Sequence, residues 1–285
     1  MIVDYLKSWP LYILPQHLLS RVVLRLTRIQ SPLVQPAIRL FSCYFQVDLT
    51  EAQHSDPSDY STFNEFFTRE LKAASRPLAT GSATLSSPAD GAISQVGRIQ
   101  DGRIFQAKGH DYSALELLGG LPERAEPFQN GSFMTIYLAP RDYHRVHMPL
   151  SGQLLEQVYV PGRLFSVAPH TVRTIPRLFA RNERVVALFD TDFGKLAMVL
   201  VGAINVAAIE TVWSGLVTPP PRKAVRQTRF AGINLQRGAE MGRFNMGSTV
   251  ILLLEANVDW ESASKVAASV RMGAALGTVV NQKGS

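Results

Sequence analysis

Hydrophobic positions near the start of the chain follow a different period from those further on. Between Pro15 and Ser31, Leu18, Leu19, Val22, Val23, Leu26 and Ile29 recur at helical spacing, with Arg21, Arg25 and Arg28 on the other face. That spacing predicts an amphipathic basic helix. Pro10, Pro15, Pro32 and Pro36 break the surrounding Met1–Leu40 region, so no single helix runs through it. Two uses fit the pattern. The apolar stripe packs on a core, or it lies on anionic lipid with Trp9 and Tyr12 at headgroup depth. A polar stretch, Glu51 to Ser61, then leads to Thr62–Leu71, which reads as a short helix capped by Thr62 with Glu65 completing a capping box.

From Ser86 onward the period shortens to that of strands. Apolar runs such as Phe133–Leu138 and Val250–Leu254 are punctuated by Asp90-Gly91, Asp101-Gly102, Asn130-Gly131 and Ser151-Gly152. The longest uncharged stretch, Leu196–Ile209, has 14 residues. It falls short of the roughly 20 that cross a bilayer and reads as buried strands with a turn near Gly202-Ala203. The expected architecture is α+β: an N-terminal helical region over residues 1–60 and a β-rich catalytic domain over 61–285.

Bulk properties narrow the partners. With 285 residues and 46% apolar content, a sizeable core is available. The net charge of +6 is spread along the chain rather than gathered in basic runs, which favours an anionic membrane surface or substrate over nucleic acid. Cys43 is the only cysteine, so no internal disulfide and no thiolate metal cluster can form. Asp4 and Lys7 do not make a basic leader and no small-residue cleavage site follows, so retention inside the cell is expected.

Two segments carry candidate chemistry. Ala139-Pro140-Arg141-Asp142-Tyr143-His144-Arg145-Val146-His147-Met148-Pro149 gathers two of the six histidines between prolines, directly after an apolar strand. The prolines leave little room for a helix and no H-E-x-x-H glutamate is present, so proton transfer suits these histidines better than metal binding. The second segment is Met246-Gly247-Ser248-Thr249. A serine that follows glycine at the head of a strand can turn its hydroxyl onto the preceding carbonyl, since glycine adds no Cβ to obstruct it. A structural turn is the alternative. A histidine base needs an acidic partner. Asp90, Asp142, Asp190 and Asp192 all qualify, and Asp90-Gly91 is equally a hairpin signal.

Taken together, Tyr137–Pro149, Pro88-Ala89-Asp90-Gly91, Phe165-Ser166-Val167 with Leu178–Arg184, and Glu240-Met241-Gly242-Arg243-Phe244 leading into Gly247-Ser248-Thr249 resemble the bacterial phosphatidylserine decarboxylases. The resemblance covers nearly the whole chain. Met246 departs mildly from the Leu or Phe often found at its position and keeps an apolar side chain.

The resemblance implies a proenzyme that cleaves itself between Gly247 and Ser248, with Asp90 orienting His147 and His147 activating Ser248. The products would be a β chain, residues 1–247, and an α chain, residues 248–285, whose first residue becomes a pyruvoyl group. That group would form a Schiff base with phosphatidylserine, release carbon dioxide and yield phosphatidylethanolamine, with no external cofactor and no metal. His144 is the candidate proton donor after decarboxylation. Tyr137 and Ser166 are candidate substrate contacts, with Arg163 and the basic segment Val167–Arg184 nearby. A dimer of αβ units, peripheral on the cytoplasmic side of the inner membrane, is also implied. A serine hydrolase using Asp90, His147 and Ser248 is the rival enzyme, although the G-x-S-x-G elbow is missing. A non-catalytic membrane scaffold is the other rival.

Overall fold

The computed structural model describes residues 2–204, 208–220, 224–245 and 248–280. Helices come first and antiparallel strands follow, which is the α+β division expected. The early helices are α1 (Ile2–Ser8), α2 (Gln16–Leu26), α3 (Val34–Phe45) and α4 (Phe63–Phe67). Pro15 precedes α2, and Pro36 lies in the first turn of α3, where a missing N–H costs nothing because it would have no partner. Helix α4 stops short of the predicted Leu71. Thr62 caps it by accepting from the Glu65 N–H at 3.1 Å, but the Glu65 carboxylate takes the N–H of Ser61 at 2.8 Å instead of the cap's own. The chain leaves the helix at Thr68, whose hydroxyl closes on the Asn64 carbonyl at 2.8 Å.

The apolar stripe of α2 faces outward. Gln16 and Ser20 are buried, whereas Leu18, Leu19, Val22 and Leu26 are exposed. Gln16 explains the orientation, because its side chain accepts from the Leu164 N–H at 2.8 Å and donates to the Leu11 carbonyl at 2.6 Å. Among the described residues, none covers the stripe at Leu18, Leu19, Val22 and Leu26, so these positions do not pack on a core. Helix α3 behaves differently: Val34 and Ile38 are buried with Tyr60, Phe66 and Phe67, and Phe41 packs edge-on against both phenylalanines. This small core draws on both sides of residue 60.

The strands that position the site are β1 (Gly91–Arg98), β2 (Ser132–Leu138), β3 (Arg145–His147), β4 (Gly152–Val160), β5 (Arg184–Thr191), β6 (Gly194–Val201), β7 (Ile209–Thr211), β8 (Glu240–Phe244) and β9 (Ser248–Leu254). The largest sheet runs in the order Arg226–Arg229, β4, β5, β6, β9, β2, β1, Ser269–Val270. Every residue of β9 is buried, and an uninterrupted register joins it to β2 from Ser248↔Leu138 to Leu254↔Ser132 and to β6 on its other edge. A continuous apolar run is what a strand covered on both faces requires. A smaller sheet, ordered Gly215–Thr218, β7, β8, β3, sets the His147 strand against the segment that approaches Ser248.

The uncharged run after β6 turns at Gly202–Ile204, as its glycine predicts. Asp90-Gly91 does not form the two-residue hairpin it resembles. Gly91 opens β1 so close to β2 that a Cβ there would lie 2.4 Å from the Tyr137 carbonyl oxygen.

Candidate active site

Ser248 is the first residue of β9 and is fully buried, and its hydroxyl has no hydrogen-bond partner among the described residues. An unpartnered buried hydroxyl costs about 1–3 kcal/mol, so its persistence calls for an explanation beyond packing. Gly247 and Met246 lie outside the described residues. From Leu138, the register partner of Ser248, the chain passes through the histidine segment and returns as β3. Strand β8 ties the two together: the Phe244 N–H donates to the His144 carbonyl at 3.0 Å, and Ser248 follows Phe244 by four positions.

The two histidines have different environments. In His144, Nδ1 lies 2.7 Å from the Asp142 carbonyl, which can only accept, so Nδ1 carries the proton and Nε2 is a bare lone pair. Nε2 is buried without a hydrogen-bond partner among the described residues, and the Phe67 ring lies 4.2 Å from the imidazole. Burial pushes the His144 pKa down to about 3, which keeps the ring neutral. In His147, Nδ1–H donates to the Gly238 carbonyl at 2.8 Å and Nε2 accepts from the Tyr143 hydroxyl at 3.1 Å. Burial lowers the His147 pKa as well, opposed by the Gly238 carbonyl and the charge of Glu240. Burial raises that of Tyr143, which keeps its hydroxyl a donor.

The candidate acids separate clearly. Asp90 receives a two-pronged bond from Arg76, Nε to Oδ1 at 2.9 Å and Nη2 to Oδ2 at 2.5 Å, and a third from the Met272 N–H at 2.8 Å. It makes no hydrogen bond to His147, contrary to the orienting contact expected. The link is through backbone, from the His147 N–H to the Pro88 carbonyl at 2.8 Å, and through the charge that His147 feels from Asp90. Asp142 accepts from the Ala139 N–H at 2.7 Å and braces the histidine loop. Asp190 pairs with Lys195 at the Leu254 end of β9, away from Ser248.

Tyr137 and Ser166 line one cavity of about 260 Å³ together with Phe41 of α3, Phe67 of α4, Pro140 and Ala203. Ala203 follows Val201, the register partner of Thr249, so the cavity lies at the Ser248 end of β9. Arg163 is committed elsewhere, donating to the Tyr12 carbonyl at 2.8 Å and lying over the Phe165 ring. Among the described residues no group of three or more His, Cys, Asp or Glu could hold a metal ion. Tyr143, Arg76, Gly238 and Phe67 are the participants that sequence reasoning missed. Tyr143 stands inside the flagged segment, but nothing local marks Arg76 or Gly238, whose roles arise only from tertiary contact.

A family model described as phosphatidylserine decarboxylase matches residues 63–278, and a second, described as PSD, matches residues 6–46. The chain belongs to the phosphatidylserine decarboxylase family. It is 55% identical over 273 residues to the phosphatidylserine decarboxylase proenzyme of Stutzerimonas stutzeri, covering 93% of this chain and 92% of that protein. The Pseudomonas fluorescens proenzyme of the same name is 55% identical, with 93% and 94% covered. That of Nitrosococcus oceani is 52% identical, with 97% and 92% covered. Membership in the phosphatidylserine decarboxylase family makes the chain a decarboxylase, and its relatives bear the name proenzyme. The Ser248 hydroxyl and the His144 Nε2 nitrogen are both among the buried polar atoms that lack a hydrogen-bond partner among the described residues.

Proposed function

We propose that the chain cuts itself between Gly247 and Ser248 and then converts phosphatidylserine to phosphatidylethanolamine and carbon dioxide at the cytoplasmic face of the inner membrane. The observation that carries this reading is the Ser248 hydroxyl, fully buried at the head of a central strand and without a hydrogen-bond partner among the described residues. His147 serves as its base once the Tyr143 hydroxyl that donates to Nε2 gives way, with the Gly238 carbonyl fixing the tautomer that makes Nε2 the acceptor. Asp90 acts through its charge, which favours the imidazolium, rather than through contact. The Ser248 oxygen bonds to the Gly247 carbonyl carbon, the Gly247–Ser248 amide bond breaks, and the proton passes to the freed nitrogen, giving an ester. Removal of the Ser248 α-proton expels the Gly247 carboxylate. Water then hydrolyses the resulting enamine, through its imine, to a ketone and ammonia.

The group so formed is a pyruvoyl at residue 248, and its surroundings fit it: the position is fully buried, and the strand that carries it is hydrogen-bonded along both edges, which would hold the short α chain after cleavage. Its carbonyl supplies an electron sink to a substrate amine, as an external cofactor would elsewhere. His144 holds a lone pair at Nε2 and must take up a proton before delivering one. The substrate ammonium is the source, and the carbon that loses carbon dioxide is the recipient. Tyr137 and Ser166 meet the headgroup in the shared cavity, whose Phe41 and Phe67 wall suits the less polar part of a lipid. The outward apolar faces of α1 to α3 lie on the bilayer: Leu33 is 74% and Tyr44 78% exposed, alongside Leu6, Trp9, Leu18 and Leu40. No described helix is long and apolar enough to cross a membrane. A dimer of αβ units completes the reading.

Mass spectrometry before and after borohydride reduction tests it. Two fragments parting between Gly247 and Ser248, the smaller beginning with a reducible carbonyl, are expected. An intact chain in preparations that decarboxylate, unaffected by Ser248→Ala, would overturn it.

A further inference from the structure

Ser248 is anchored from one side by the β9 ladder, and the chain that leads into it is anchored from the other by Asn245. Asn245 is fully buried. Its N–H donates to the Ala208 carbonyl at 3.0 Å, and its side-chain amide donates to the same carbonyl and to Glu210 Oε1, each at 3.2 Å. Glu210, on β7, gathers further partners: Arg28 Nη2 at 2.7 Å from Oε1, and Arg243 Nε at 3.7 Å from Oε2. The approach of β7 to β8 depends on Gly242, where a Cβ would meet the Glu210 carbonyl oxygen at 2.4 Å. From Asn245 to Ser248 is three residue steps, at most about 11 Å of extended chain. Asn245 and Ser248, the described residues on either side of the proposed cleavage point, are thus each fixed by their own hydrogen bonds or strand pairing.

We infer that Asn245 and Glu210 are positioning residues for self-cleavage, holding the incoming side of the Gly247–Ser248 bond while β9 holds the outgoing side. Among the described residues neither bonds to the Ser248 hydroxyl. Their effect is geometric, and misplacement of a reacting carbonyl by about 1 Å can cost on the order of a hundredfold in rate. Arg28 extends the arrangement: it follows the C-terminal end of α2, the helix with the outward apolar face, and it bonds the same Glu210 oxygen as Asn245. The inference rests on cleavage at Ser248 as proposed above.

The test is a time course of cleavage in freshly synthesised full-length chains, with and without hydroxylamine, which cuts an ester once it has formed. Asn245→Ala and Glu210→Ala should cleave roughly ten- to a hundredfold more slowly than the parent. Glu210→Gln keeps an oxygen acceptor for the Asn245 amide and should stay within about threefold of the parent, because one neutral hydrogen bond survives. Hydroxylamine should hasten cleavage of the parent chain and leave Asn245→Ala slow, since the lost step precedes the ester. A purely structural defect would instead lower the melting temperature of the same variants made in a Ser248→Ala background. Arg28→Ala, a surface change that should fold normally, is expected to slow cleavage several-fold. Parent-like rates in Asn245→Ala and Glu210→Ala, or full rescue of both by hydroxylamine, would overturn the inference while leaving self-cleavage intact. A parent chain that never cleaves would defeat the cleavage reading, and this inference with it.

Discussion

Within the two-histidine loop, residues three positions apart have become chemically distinct because each Nδ1 found a carbonyl while their Nε2 atoms met different neighbours. His147 Nε2 accepts from Tyr143; His144 Nε2 has no hydrogen-bond partner among the described residues. The difference predicts separable phenotypes. His144→Ala should still cleave at Ser248 yet lose decarboxylation by 10²-fold or more, the range that a proton-transfer group supplies. Gel analysis alongside carbon dioxide release checks this, and a fully active variant would remove the assigned role. Asp90 yields a second prediction. Its ion pair with Arg76 is nearly enclosed, with side chains 11% and 6% exposed. Arg76→Gln would leave a buried carboxylate without its cation, and removing one partner of such a pair costs about 3–5 kcal/mol. Urea denaturation of the uncleaved Ser248→Ala chain should show a loss in that range, and a change under 1 kcal/mol would mean that Met272 and solvent suffice for Asp90.

Among the elements, α2 and β9 show why some of the molecule was legible beforehand and some was not. The unbroken apolar run at 250–254 could belong only to a strand covered on both faces, and the structure puts it near the middle of the largest sheet. The stripe on α2 was equally plain, but periodicity reports that a helix has two faces and not which of them the protein covers. Gln16 decided that through a bond to Leu164, a residue far along the chain. The capping box at Thr62 was half right for a similar reason, since Glu65 found the N–H of Ser61 one residue earlier. Asp90 was visible as a residue and hidden as a contact, because Arg76 carries no local mark. The outward stripe gives its own prediction. Replacing Leu18, Val22 and Leu26 together with Gln should leave the unfolding midpoint nearly unchanged, since surface changes usually stay within about 0.5 kcal/mol each. Sedimentation with vesicles containing anionic lipid should then fall at least tenfold. Undiminished binding would assign the membrane contact to another surface.

Over the whole molecule, the buried histidines set how stability responds to pH. In the unfolded chain a histidine takes a proton near pH 6.5, whereas burial holds His144 near 3 and His147 below its ordinary value. Between those limits the unfolded state binds more protons than the folded one, so stability is fully present above about pH 6.5 and declines as pH falls. The carboxylates act lower. Those of Glu51 and Asp48 are held down, by the Arg76 bond and the Thr50 hydroxyl respectively, and contribute losses only below about pH 4.5. Burial raises the Asp142 pKa and so opposes the histidines. Of these groups, the histidines are the ones whose protonation removes stability between pH 6.5 and 5. His144 alone should contribute a loss of about 2 kcal/mol by pH 5, at 1.36 kcal/mol per pH unit. The Ser248→Ala chain keeps the protein in one piece, so that urea midpoints at pH 7 and pH 5 compare the same species. Adding His144→Ala should lower stability at pH 7, because it empties a packed site beside Phe67, and should flatten the slope between the two pH values. Equal slopes in the two chains would mean that His144 titrates in the fold as it does in the unfolded chain, near pH 6.5, and the assignment of a neutral ring at pH 5 would fail.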